Sequence, residues 1–171
     1  MQRAILVTAV FLCSTFLGWN SAKRLRLRRD MLSAMTDSIK RLLMMMAYTH
    51  QPLHQLVDRC AQGAAAPTLA SFAAALAGRN KPEQAWEAAE DWALLHDRGF
   101  GALHPGDRET LRTFMGLLGT ADLNRQQQSA AMAVAALEQS LSDAETACSS
   151  KGRVYRAMGV LCGAAVAILL L

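Results

Sequence analysis

Two uninterrupted apolar runs frame this chain, and between them apolar residues return every three or four positions. Ala4 to Ala22 holds no charged side chain and is bounded by Arg3 and Lys23. As helix this run rises about 28 Å, close to the roughly 30 Å of a bilayer's hydrocarbon core. The closing run, Ala157 to Leu171, is uncharged but shorter, about 22 Å as helix. It reaches a full span if Val154 and Tyr155 enter the interface and Arg156 snorkels back to the head groups. The pattern predicts transmembrane helices over 4–22 and 154–171, with a body of 23–152 between them. The competing readings are a cleaved signal peptide for the first run and a buried core helix for the second. The first run lacks a clear small-x-small cleavage site, and its basic cluster follows the apolar stretch instead of leading it. The second would leave a core helix without a polar cap.

The body reads as six helices. From Arg24 to Tyr48, Leu32, Met35, Ile39, Leu42 and Met46 follow one another at steps of 3, 4, 3 and 4, which marks a single helical stripe. Pro52 ends that helix and opens a short second one through about Ala61. "QGAAAPTL" is a break, and Thr68 to Ala77 forms a third helix closed by Gly78. Asn80, Lys81 and Pro82 give a cap-and-proline start to a fourth, which carries Trp86 and Trp92 and stops near Gly99. "HPGD" starts the fifth, with Leu111, Phe114, Met115 and Leu118 on its apolar face. Gly119 terminates it and Thr120 caps the sixth. In that last helix Ala130, Val134, Leu137, Leu141, Ala144 and Cys148 form a seam for other helices. No proline follows, so it is expected to run nearly unbroken into the closing span, with Gly152 the soft spot. The fold class is therefore all-α: a six-helix cytoplasmic bundle flanked by N- and C-terminal transmembrane helices.

Composition agrees with helix. Hydrophobic residues make up 52% of the chain but aromatic ones only 6%, and the excess lies in the helix formers Ala, Leu and Met rather than in strand formers. The net charge of +4 suggests nucleic acid until its distribution is read. Residues 30–150 carry nine basic against fourteen acidic side chains, a poor match for phosphate backbones. The basic residues crowd at Lys23, Arg24, Arg26, Arg28 and Arg29 and again at Lys151, Arg153 and Arg156. Both clusters border the body, so the positive-inside rule places the body in the cytoplasm and both termini outside. Cys13, Cys60, Cys148 and Cys162 have no CxxC spacing and read as free thiols.

Candidate chemistry is sparse. His50 and His54 stand at a zinc-like spacing, but Pro52 interrupts the helix between them and no third ligand completes a site. His96 and His104 read as surface residues. No phosphate loop, nucleophile elbow or HExxH motif is present, and the reading assigns no catalytic, metal or cofactor residue. Met44, Met45 and Met46 suit core packing, or a soft recognition surface if one face stays exposed. Within the predicted spans, Ser14 with Gly18 and Gly159 with Gly163 are small-xxx-small pairs that would let the two helices approach closely.

These features together resemble the stage III sporulation protein AB family of endospore-forming bacteria, over essentially the whole chain. The resemblance rests on the apolar helix with its basic flank and on the Tyr48…Pro52-Leu53 junction. It rests also on Leu118-Gly119-x-x-Asp122-x-x-x-Gln126 and on Lys151…Tyr155…Gly159…Gly163 leading into Ile168 and three leucines. One departure stands out: the family tends to carry an acidic residue three before the tyrosine, where this chain has Met45. The resemblance implies a cell-membrane component of the complex linking mother cell and forespore, akin to the inner-membrane platform of secretion systems. It implies as partners a separate secretion-type sporulation ATPase and other sporulation membrane subunits, with the body on the mother-cell side. Combined with the acidic body, it makes Glu83, Glu87, Glu90 and Asp91 an expected docking face, where exposed charge would steer encounter more than add affinity. The alternative class is a two-span sensor or receptor whose helical body binds a small molecule.

Overall fold

The computed structural model describes the backbone of residues 2–49, 51–78, 81–119 and 123–170, with side chains over 16, 19–49, 51–78, 81–119 and 125–150. Six α-helices account for nearly all of it: α1 (Gln2–Tyr48), α2 (Leu53–Cys60), α3 (Ala66–Gly78), α4 (Pro82–His96), α5 (Pro105–Leu117) and α6 (Leu123–Leu170). Short 3-10 turns at Gly63–Ala65 and Phe100–Ala102 precede α3 and α5. Among the described residues there is no strand. The first predicted span and the first body helix are one helix, without a break at Lys23. α6 likewise continues through Gly152.

The helices group into two compact units, one of residues 1–26 with 143–171 and one of residues 27–142. Among the described residues no helix is long and apolar enough to cross a membrane. The side chains of the run 154–171 and of 4–22, apart from 16 and 19–22, lie outside those described, as do Ser14, Gly18, Gly159 and Gly163.

In the unit of residues 27–142, α4 packs between α3 and α5, and α2 packs on α3. The stripe of α1 enters this core: Leu32, Met35, Ile39 and Leu42 are buried, joined by Met31. Met46, at the stripe's end, is only partly covered. Ser38 donates from α1 to the carbonyl of Cys60 at 2.9 Å and fixes the end of α2. At the centre stands Trp86, met edge-on by Phe72 at 5.2 Å and by Phe100 at 6.2 Å between ring centroids. Such T-shaped contacts set the positive ring edge against the negative face. On α6, Ala130, Ala133 and Leu137 are buried and Val134 and Leu141 half-buried, so the predicted seam faces inward.

Helix boundaries follow local chemistry. Gly119 adopts φ +74° immediately after α5, a left-handed position that favours glycine at a helix end. α4 stops at His96 rather than near Gly99. The Asp97 carboxylate accepts the amides of Gly99 and Phe100 at 2.8 and 3.3 Å and the hydroxyl of Thr68 at 2.8 Å. It therefore offers the backbone a turn in place of another helical residue. The expected cap residues Asn80 and Thr120 lie outside the described residues.

Candidate docking face on the fourth helix

α4 begins at Pro82, whose fixed φ suits the first helical turn, and it places Ala85, Trp86, Ala89 and Ala93 in the core. Its opposite side is set by the same periodicity. Glu83, Glu87 and Asp91 recur at steps of four and are exposed, forming one acidic stripe. Leu95 continues the stripe by one more turn and is 81% exposed. Trp92 and Leu94 beside it are also open to solvent, and the Trp92 ring stacks on His96 at 5.1 Å. His96 Nδ1 donates to the Trp92 carbonyl at 2.9 Å. The face is thus acidic along three turns and apolar at its end, a combination that a basic segment with an apolar anchor would complement.

Glu90 departs from the expected face. It points inward, 5% exposed, and one of its oxygens accepts both Nε and a terminal nitrogen of Arg112 from α5, at 3.1 and 3.0 Å. The physical reason is the helix itself: position 90 shares its side with Trp86 and Ala93, and position 91 does not. The hydrogen bond that Arg112 donates to Glu90, then the charge of Glu90, holds the guanidinium above its ordinary pKa, helped by Glu109 and Glu87. Arg112 also lies 4.0 Å from Glu109. The acids of the α4–α5 surface therefore share a guanidinium that the sequence did not connect to them. Leu95 was readable one helical step beyond Asp91; Arg112, 22 residues from Glu90, was not.

A second buried carboxylate lies at the start of α5. Asp107 accepts the backbone N–H of His104 at 3.0 Å and caps the helix. It also receives Nε and a terminal nitrogen of Arg28 from α1, at 2.9 and 3.2 Å. Burial pushes its pKa up, but hydrogen bonds from Arg28, Ser140 and the His104 amide, with the charge of Arg28, prevail and hold it below the ordinary carboxylate value. One acid thus joins α1, α5 and α6.

The remaining candidates are dispersed. His54 is half-covered, His96 and His104 are exposed, and His50 lies outside the described residues. Among the described residues no three potential ligands gather around a metal position. Met44 is exposed, whereas Met45 and Met46 are partly covered. The thiol of Cys60 approaches the sulfur of Met45 at 3.8 Å, so a sulfur contact occupies the position where an acid was expected. Burial raises the Cys60 pKa against the lowering charge of Arg41, the direction expected for a thiol in apolar surroundings.

The profile of the family described as Stage III sporulation protein AB matches residues 3–171 of this chain. The Stage III sporulation protein AB of Bacillus subtilis (strain 168) is 28% identical over 174 residues, covering 97% of this chain and 98% of its own length. No solved structure matches.

Proposed function

Since this chain belongs to the stage III sporulation protein AB family, we propose that it serves sporulation as a non-enzymatic membrane platform. Its helical body docks a secretion-type sporulation ATPase, and its two end helices hold it in the cell membrane beside other sporulation subunits. The observation that carries the docking role is the α4 face. Glu83, Glu87 and Asp91 are free of the core while Glu90 and Asp107, acids of the same body, are buried and paired. Exposed like charge at steps of four destabilises a helix slightly; Glu87 recovers part of this through the charge of Arg112, but the stripe, set next to Trp92 and Leu95, is left mostly without an internal return. A basic partner supplies that return. The ATPase as partner, the membrane spans and the cytoplasmic side are parts of this proposal, supported by the family and by the basic flanks of both end helices.

The test is association of the full-length chain, reconstituted in vesicles, with the co-expressed ATPase across a salt titration. Reversing two charges, Glu87→Lys with Asp91→Lys, should slow association at least several-fold at low salt and flatten its salt dependence. Equal binding by parent and variant at every salt concentration would move the dock elsewhere.

A further inference from the structure

Within the unit of residues 1–26 and 143–171, α1 carries a second exposed face. Phe16, Trp19, Lys23 and Arg26 follow one another at steps of 3, 4 and 3, so they line one side of the helix. Phe16 is 71% and Trp19 69% exposed. Lys23 and Arg26 are also exposed, and among the described residues neither has an acidic partner. The sequence holds no Asp or Glu before Asp30, and that carboxylate accepts a hydrogen bond from Arg29 at 2.9 Å. Trp19, Lys23 and Arg26 border a cavity of about 420 Å³, with buried Ala22 also in its lining. That volume falls within the roughly 300–1,000 Å³ of small-molecule sites.

We propose that this cavity is a binding site for the head group of an anionic phospholipid. The inference rests on the reading that α1 enters the membrane. Distances along the helix place the chemistry: Lys23 stands about 6 Å and Arg26 about 10 Å beyond Trp19 along the axis. A bilayer's head-group layer is about 5–8 Å thick on each side of the hydrocarbon core. With the Trp19 ring at the boundary of that core, where tryptophan is favoured, the Lys23 ammonium lies in the phosphate layer and Arg26 reaches it from above. Phe16 then points into acyl chains. A free phosphate ion would satisfy the two bases but leave Phe16 and Trp19 in water, so the lipid is the ligand that uses the whole stripe. A zwitterionic head group brings its own ammonium to two cations that have no acidic partner among the described residues, which favours a net negative head group such as phosphatidylglycerol.

The test uses the full-length chain in detergent micelles, with phosphatidylglycerol or phosphatidylcholine titrated in and bound lipid counted by native mass spectrometry. The parent should retain phosphatidylglycerol in preference to phosphatidylcholine. Each base near an anionic surface accounts for about a fivefold change, so Lys23→Gln with Arg26→Gln should lower retention by about 30-fold. Arg59→Gln, on an exposed body position, should leave it unchanged, and circular dichroism should show equal helix content in all three. Equal retention of both lipids, an undiminished preference in the double variant, or displacement by millimolar inorganic phosphate would each overturn the site. A parallel carbonate wash of liposomes containing the chain separates the two readings. A chain that resists extraction but shows no lipid preference defeats only this site; one that is washed out defeats the membrane reading as well.

Discussion

Glu90 and Asp91 are consecutive residues of one helix, yet they inhabit different media. Asp91 belongs to an outer stripe with Glu83 and Glu87, bathed in water and set beside Trp92 and Leu95. Glu90 belongs with Asp107 to an inner set, each carboxylate closed by an arginine from another helix. The inner acids hold helices together, and removing Asp107 leaves a largely covered cation without its partner. Among the described residues the outer acids accept no hydrogen bond from another helix, although the charge of Glu87 reaches Arg112, so most of their charge is available to a partner. A residue's type and its place in a charged run do not distinguish these roles; the side of the helix it occupies does.

The sharpest way to break this distinction is Asp107→Ala. Arg28 is only 12% exposed, so the substitution leaves a largely covered guanidinium unpaired and the His104 amide without its acceptor. Loss of one partner from a buried pair costs about 3–5 kcal/mol, and a lower urea midpoint of the full-length chain in detergent should report it. A loss below about 1 kcal/mol would place Asp107 among the outer acids.

Acid provides a gentler probe of the same carboxylate. Its folded-state pKa is depressed by its partners, so its stabilising contribution is complete above the unfolded value of about 3.9 and fades as pH falls through the lower folded value. The difference in melting temperature between parent and Asp107→Asn should therefore hold steady above about pH 5 and narrow below the unfolded value. A difference that widened on acidification would contradict the pairing.

The smallest effects compare the two sides of α4 directly. Glu90→Gln keeps the shape but surrenders the ionic bond to a half-exposed arginine, and it should lower the melting temperature by less than Asp107→Asn does. Glu83→Gln and Glu87→Gln should change stability by no more than about 0.5 kcal/mol. If they destabilise as much as Glu90→Gln, the outer stripe is structural and the docking reading loses its foundation.

Much of the fold was legible because periodicity and helix punctuation are local. The Leu32–Met35–Ile39–Leu42 stripe, the Pro105 start and the Gly119 stop can each be read within a few residues, and the structure places all three accordingly. The continuity of α1 was less visible, because a change from apolar to basic side chains looks like a boundary although it disturbs no backbone hydrogen bond. The inner charges were not legible. Arg28 sat in a basic cluster whose composition spoke only of topology, and its partner lies 79 residues away. Glu90 sat in an acidic run and was grouped with its neighbours; its side of the helix could be read from Trp86 and Ala93, but the arginine that pairs with it belongs to a later helix. The family relationship was legible over the whole chain, because the order of its motifs survives where no single motif is decisive.

The separation of Arg28 and Asp107 also bears on time. At about 5–20 residues per second, a ribosome adds Asp107 roughly 4–16 s after Arg28. Throughout that interval α1 presents its apolar stripe and an unanswered guanidinium, because Leu111 and Met115 of α5 have also not been made. The ion pair can close only when four later helical segments have begun, and Ser140 joins it later still. It records the arrival of the fifth helix, and until then the first helix must wait.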